Sequence, residues 1–153
     1  MKLRALVIDD SRIMRRMVMD GLQKTNLATF EFVEAEDGVD ALGKFSPDDI
    51  DIVFADWNMP RMTGIEFAHK IRSMANTDHI PIIMVTSEKT MGKMEIALDK
   101  AGASAYVSKP FTVEELQRKL ARVIAGIQPR PLTPKAPKPG GGGFFSKLMR
   151  DMG

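Results

Sequence analysis

The stretch IDIVFADWNMPRMTG, residues 50 to 64, decides how the rest of the chain is read. It begins as a run of apolar and β-branched residues on consecutive positions, not alternating ones, which is the pattern of a strand buried on both faces of a sheet. It ends on a carboxylate, Asp56, followed by Trp57, Asn58, Met59 and Pro60, and a proline has no N–H with which to extend a ladder. A charge at the carboxyl end of a doubly buried strand is costly unless it has work to do. In open α/β sheets that end is where ligands bind, near the point where strand order reverses.

Similar runs flank this one at LRALVI (3 to 8), FEFVEA (30 to 35), PIIMVT (81 to 86) and SAYVS (104 to 108), with DIVFA (51 to 55) as the third of five. Between them apolar residues recur at helical spacing. Met14, Met17, Val18 and Leu22 form an expected inward stripe after the first strand, and Val113, Leu116, Leu120, Val123, Ile124 and Ile127 form another after the last. Five strand-then-helix units imply parallel strands joined by right-handed crossovers, hence a doubly wound α/β fold with a five-stranded parallel sheet.

The 153 residues suit one domain, with 44% hydrophobic and 27% charged residues, the balance of a soluble globular chain. No apolar run reaches the roughly 20 residues of a membrane span, and MKLRALVIDD reads as a first strand, not a signal peptide, so a cytoplasmic location is expected. Cysteine is absent, and with it disulfides and thiolate metal sites, while His69 and His79 lack partners at zinc-like spacing and read as surface residues. The net charge of +2 hides an asymmetry: residues 1 to 127 carry 17 Lys+Arg against 19 Asp+Glu, and residues 128 to 153 carry 5 against 1. Five cations scattered through a proline-rich segment form no recognition helix, so no nucleic-acid partner is expected.

The expected strand ends carry Asp9 and Asp10, Asp56, Thr86 and Ser87, and Lys109. Each alone has a plain explanation, such as Asp10 or Ser11 capping the first helix. The fold, however, gathers them on one edge. Three carboxylates about 5 Å apart repel by roughly 3 kcal/mol per pair at an effective dielectric of about 20, so positive charge must offset them. Lys109 supplies one charge, and a hard divalent cation with oxygen ligands, Mg²⁺, would supply two. A carboxylate beside both is placed to attack phosphorus, which makes Asp56 the candidate phosphoryl acceptor.

At these residues the chain resembles a known family. VIDDS, DWNMPRMTG, VTSE and AYVSKPF are similar to the receiver domain of two-component response regulators, of the single-domain CheY-like kind, over residues 1 to 127. The resemblance implies the sheet order 2-1-3-4-5 found in flavodoxin and CheY. It implies that Asp10, Asp56 and the backbone carbonyl of Asn58 ligate Mg²⁺, with Asp9 acting through water. Asp56 would receive its phosphoryl group from a sensor histidine kinase of the CheA type, with Lys109 and Thr86 binding it. Tyr106 would follow Thr86 inward, switching the face made by the fourth helix, fifth strand and fifth helix. Pro110 would follow a cis bond, and Asn58 and Glu88 would tune hydrolysis of the acyl phosphate. Thr63 departs from the pattern, since CheY-like loops often carry an acid there.

Two enzyme or cofactor alternatives fit less well. A phosphatase of the haloacid dehalogenase type resembles a pattern with a second aspartate two positions beyond the nucleophile, where this chain has Asn58. A flavodoxin-like or P-loop nucleotide site lacks its loop, because no Ser/Thr/Gly-rich segment follows the first strand and GGGGFFSK lacks the Gly-Lys-Ser/Thr ending. The expected chemistry is therefore confined to the protein's own phosphorylation and dephosphorylation.

Residues 128 to 143 hold five prolines followed by four glycines, a linker that would span roughly 40 Å at about 3.1 Å per proline-rich residue plus a coil term. Residues 144 to 153, FFSKLMRDMG, place Phe144, Phe145, Leu148, Met149 and Met152 as the apolar anchors of a short amphipathic peptide. That pattern suits a helix folding into a partner's groove better than membrane attachment by so short a face. Output is expected through protein contacts, to a target such as a flagellar switch or a scaffold, in chemotaxis or in another relay, pilus or gliding system.

Overall fold

The five apolar runs become strands because their side chains are buried on both sides of one sheet. In the computed structural model, residues 1–87, 92 and 102–127 are described. Strands β1 (Lys2–Ile8), β2 (Thr29–Ala35), β3 (Ile52–Asp56), β4 (Ile82–Ser87) and β5 (Ala105–Lys109) pair in parallel in the order β2-β1-β3-β4-β5. The described helices are α1 (Arg12–Lys24), α2 (Gly38–Lys44), α3 (Gly64–Arg72) and α4 (Val113–Ala125), the last being the fifth helix expected from the sequence. The helix expected between β4 and β5 lies outside the described residues, as do Glu88, the linker and the C-terminal peptide. No described helix is long and apolar enough to cross a membrane.

Alternation along each strand divides the core in two. Leu6, Ile8, Val53, Ala55, Ile82 and Met84 face α2 and α3, where Ala41, Phe67, Ala68 and Ile71 cover them. Ala5, Val7, Ile52, Phe54, Ile83, Val85 and Val107 face α1 and α4, against Val18, Leu22, Leu116, Leu120 and Ile124. The chain steps from β1 outward to β2, then crosses back past β1 to β3, so the carboxyl ends of β1 and β3 are adjacent at the reversal.

Two details correct the expectations from spacing. Met17 is about half exposed, not buried, because the stripe of α1 centres on Val18, Gly21 and Leu22 and leaves Met17 on its flank. Asp56, Ser87 and Lys109 lie within their strands instead of just after them. The ladders run one residue further, pairing Asp56 with Val85 and Ser87 with Lys109. This holds the site groups on hydrogen-bonded backbone and not on loops. Helix starts follow side-chain capping: Ser11 accepts from Met14 N–H at 3.2 Å, and Thr63 with Glu66 forms a capping box on α3. The capping box gives Thr63, the departure from the family pattern, a structural task.

Candidate functional site

At the β1 end, Asp9 is buried and Asp10 exposed, an outcome of alternation carried one residue past the strand. Asp9 is held on every side. Its backbone N–H donates to the Ala35 carbonyl at 3.1 Å, and its carbonyl accepts from Arg15 Nη1 at 2.7 Å. Its carboxylate accepts from Ser11 N–H at 2.9 Å and from Lys109 Nζ at 3.1 Å. Arg15 in turn pairs with Glu34 at 2.9 Å, fastening the acid-bearing turn to β2. Asp56 ends β3 nearly buried, with Lys109 Nζ 3.4 Å from its Oδ1. One ammonium thus bridges two carboxylates, and it sits slightly nearer Asp9 than the expected acceptor. The bond between Lys109 and Pro110 is cis, as the resemblance implies.

Ligand atoms of Asp9, Asp10 and Asp56 lie within 4.8 Å of one another, the one such acidic group among the described residues. Burial pushes the Asp56 carboxyl above its ordinary range; Lys109 pulls it back and the neighbouring Asp9 pushes it further up. An all-oxygen donor set with surplus negative charge fits a hard divalent cation.

Thr86 is fully buried in β4, on the same face as Met84, whose partner across the ladder is Tyr106 of β5. Tyr106 is half-buried against the α2/α3 side of the core, with Lys119 of α4 lying 4.6 Å from its ring centroid. Asn58 is exposed in the turn after β3. The structure therefore gathers Asp9, Asp10, Asp56 and Lys109 tightly, and puts Thr86 and Tyr106 on adjacent strands of one sheet face.

Several residues around the site have no motif to announce them. Arg15 is one. Asp37 is another: its Oδ1 accepts from Asp40 N–H at 2.8 Å, capping α2, while its Oδ2 pairs with Arg61 of the β3–α3 turn, Nε at 3.1 Å and Nη2 in closer contact. The Asp40 amide and the Arg61 guanidinium hold the Asp37 carboxyl below its ordinary value. A depressed carboxyl adds stability above its unfolded pKa of about 3.9, and that stability disappears as pH falls through the lower native value. Unfolding midpoints are accordingly expected to drop as pH falls from about 5 through the native value, and to drop less in Asp37→Asn, which keeps a capping side chain without the charge; equal acid sensitivity in the two chains would exclude this contribution.

With the geometry in hand, comparison with known proteins assigns the chain. Residues 5–121 match the family model of the response regulator receiver domain. The chain belongs to that family. A chemotaxis protein CheY homolog of Campylobacter jejuni is 40% identical over 123 residues, covering 80% of this chain and 92% of the relative. Chemotaxis protein CheY4 of Vibrio cholerae has a similar structure, with a TM-score of 0.68 at 34% identity, covering 80% of this chain and 99% of that one. The receiver domain of a Pseudomonas aeruginosa sensor histidine kinase, described with a magnesium ion coordinated in its active site cleft, gives a TM-score of 0.68 at 26% identity, covering 82% and 99%. The chain is a CheY-like receiver, a response regulator switched by phosphorylation.

Proposed function

We propose that Asp56 accepts a phosphoryl group from a phosphohistidine of a sensor histidine kinase, in chemotaxis or motility-type signalling. The observation that carries this reading is the acidic group of Asp9, Asp10 and Asp56 at the sheet's reversal point, with Lys109 bridging Asp9 and Asp56. A carboxylate oxygen of Asp56 attacks phosphorus in line with the departing imidazole; the P–N bond breaks, its electron pair leaves on the nitrogen, and an acyl phosphate forms. Lys109 turns its ammonium to the incoming phosphoryl oxygens, and the buried Thr86 hydroxyl lies on the adjacent strand to donate to one of them. Asp10, Asp56 and the Asn58 carbonyl would hold Mg²⁺, with Asp9 acting through water. Bound there, the ion offsets charge on the transferring oxygens. Burial of Asp56 also limits the water that competes for the same site.

The experiment is a titration of the full chain with magnesium chloride while following Trp57, the single tryptophan, which adjoins Asp56. A saturable change in the millimolar range is expected, and its absence would exclude metal binding at this group. The names of the Campylobacter and Vibrio relatives favour chemotaxis over another relay or a pilus or gliding system. Asn58 at the second position beyond the nucleophile disfavours a haloacid dehalogenase-like phosphatase, so the chain works on its own acyl phosphate only.

In this reading the protein acts in the cytoplasm, and output passes to a protein target through the face carrying Tyr106. Residues 144 to 153 dock the regulator to a kinase or scaffold, tethered by residues 128 to 143, which raises its effective concentration near the phosphodonor. A chain ending at residue 143 should keep full phosphorylation by a small donor while losing kinase-driven phosphorylation or localisation in cells; retention of both would rule the docking role out.

A further inference from the structure

The turn between β3 and α3 is fastened at two consecutive residues to two consecutive residues of another element. Arg61 holds the carboxylate of Asp37, and Met62 packs over Gly38 so closely that a Cβ there would lie 2.7 Å from the Met62 sulfur. The turn itself is tight. Met62 N–H donates to the Pro60 carbonyl at 2.7 Å, which puts Arg61 at the centre of a γ-type turn with φ of 68°, a conformation that side-chain-bearing residues rarely adopt. Gly64 N–H closes the segment on the Trp57 carbonyl at 2.9 Å, so Asn58 is carried on a short loop anchored at both ends. Asp37 is nearly buried and serves two partners, one oxygen capping α2 and the other taking Arg61.

The geometry points to Arg61 as a positioning residue: acting through Asp37, it holds the strained turn in the shape that presents Asn58 to the acidic group. The inference rests on the reading of that group as a Mg²⁺-dependent phosphoryl site. It concerns a residue that touches neither the acceptor nor its acidic neighbours. Within the turn Arg61 makes the charged contact to Asp37, while Pro60 lacks an N–H and Met59 and Met62 are buried.

Electrostatics and positioning predict different outcomes for one substitution. Arg61→Gly removes a positive charge from the turn that follows Asp56, which by itself would not weaken binding of a cation. It also suits the positive φ, so backbone strain is relieved and not added. If Arg61 positions the turn, Arg61→Gly instead weakens Mg²⁺ binding, followed by Trp57 fluorescence with magnesium chloride, on the order of tenfold, the scale of losses from outer-shell partners. Asp37→Asn, which keeps the helix cap, should weaken it to a similar degree, and the double variant should be no weaker than either single one. Amide exchange over residues 59 to 63 should accelerate in Arg61→Gly with or without the ion. Affinity equal to or tighter than wild type in Arg61→Gly, additive losses in the double variant, or unchanged amide exchange would each overturn the positioning role. A wild-type chain without any Mg²⁺ response would overturn the phosphoryl-site reading itself, a result separable from the others because it precedes any substitution.

Discussion

Asp56→Asn is expected to leave a folded chain that takes no phosphoryl group from a phosphorylated kinase or a small phosphodonor. The amide nitrogen and oxygen carry no anionic lone pair strong enough to attack phosphorus, and Asp56 is the one carboxylate that β3 brings to the reversal point. The loss of labelling should therefore be complete, and undiminished label in the variant would remove Asp56 from the role. Its effect on stability should run the other way. The native carboxyl is raised by burial and by Asp9, so its favourable contribution to folding is present below the unfolded pKa of about 3.9 and is lost as pH rises through the native value. Once ionised the group opposes folding, and the neutral amide relieves that opposition while Lys109 stays paired with Asp9 at 3.1 Å. A thermal midpoint at pH 7 no lower than wild type is expected, together with the absent label. In the wild-type chain, the proposed role of Asn58 and Glu88 in tuning hydrolysis is read from the decay of the label. Glu88→Leu should slow that decay by hindering water, and an unchanged rate would exclude Glu88 from tuning it.

Gly64→Ala is expected to damage both fold and site. A Cβ at this position would lie 2.2 Å from the Asp56 carbonyl oxygen, 3.0 Å from its carbonyl carbon and 2.5 Å from Met84 Cε. The methionine methyl can swing away, but the carbonyl belongs to β3, and moving it moves Asp56, the proposed nucleophile. Helix propensity alone favours alanine over glycine by up to about 1 kcal/mol. Overpacking costs about 1–3 kcal/mol, and more where the obstacle is backbone that cannot yield, which decides the sign. The denaturation midpoint should fall and phosphorylation should fall with it, since α3 and the end of β3 cannot both keep their places. Gly43→Ala is the matched control: it lies exposed in α2 with nothing within 4 Å of its would-be Cβ, and should be neutral or slightly stabilising. Equal midpoints for the two variants would show that the close approach at Gly64 is not needed.

The sequence by itself determined the alternation of five strands with helices, the core stripes of α1 and α4 apart from Met17, and the acidic, threonine and lysine groups at the strand ends. These are legible because burial acts on neighbours in sequence: a doubly buried strand needs consecutive apolar residues, and a one-sided helix needs them three and four apart. The strand order followed only from resemblance, since no local pattern tells β1 that β3 and not another strand will lie beside it. Tertiary structure alone decided which of the paired acids is buried. Asp9 continues the inward turn and meets Lys109 across 100 residues of chain, whereas Asp10 faces out. It also decided that Arg15 holds the Asp9 carbonyl, that Asp37 serves both a helix cap and Arg61 24 residues away, and that glycine is required where α3 meets β3. None of these has a periodicity to reveal it, because each depends on two segments whose distance is set by packing of the whole sheet, while the carboxylates, hydroxyls and ammonium it aligns were already written one strand at a time.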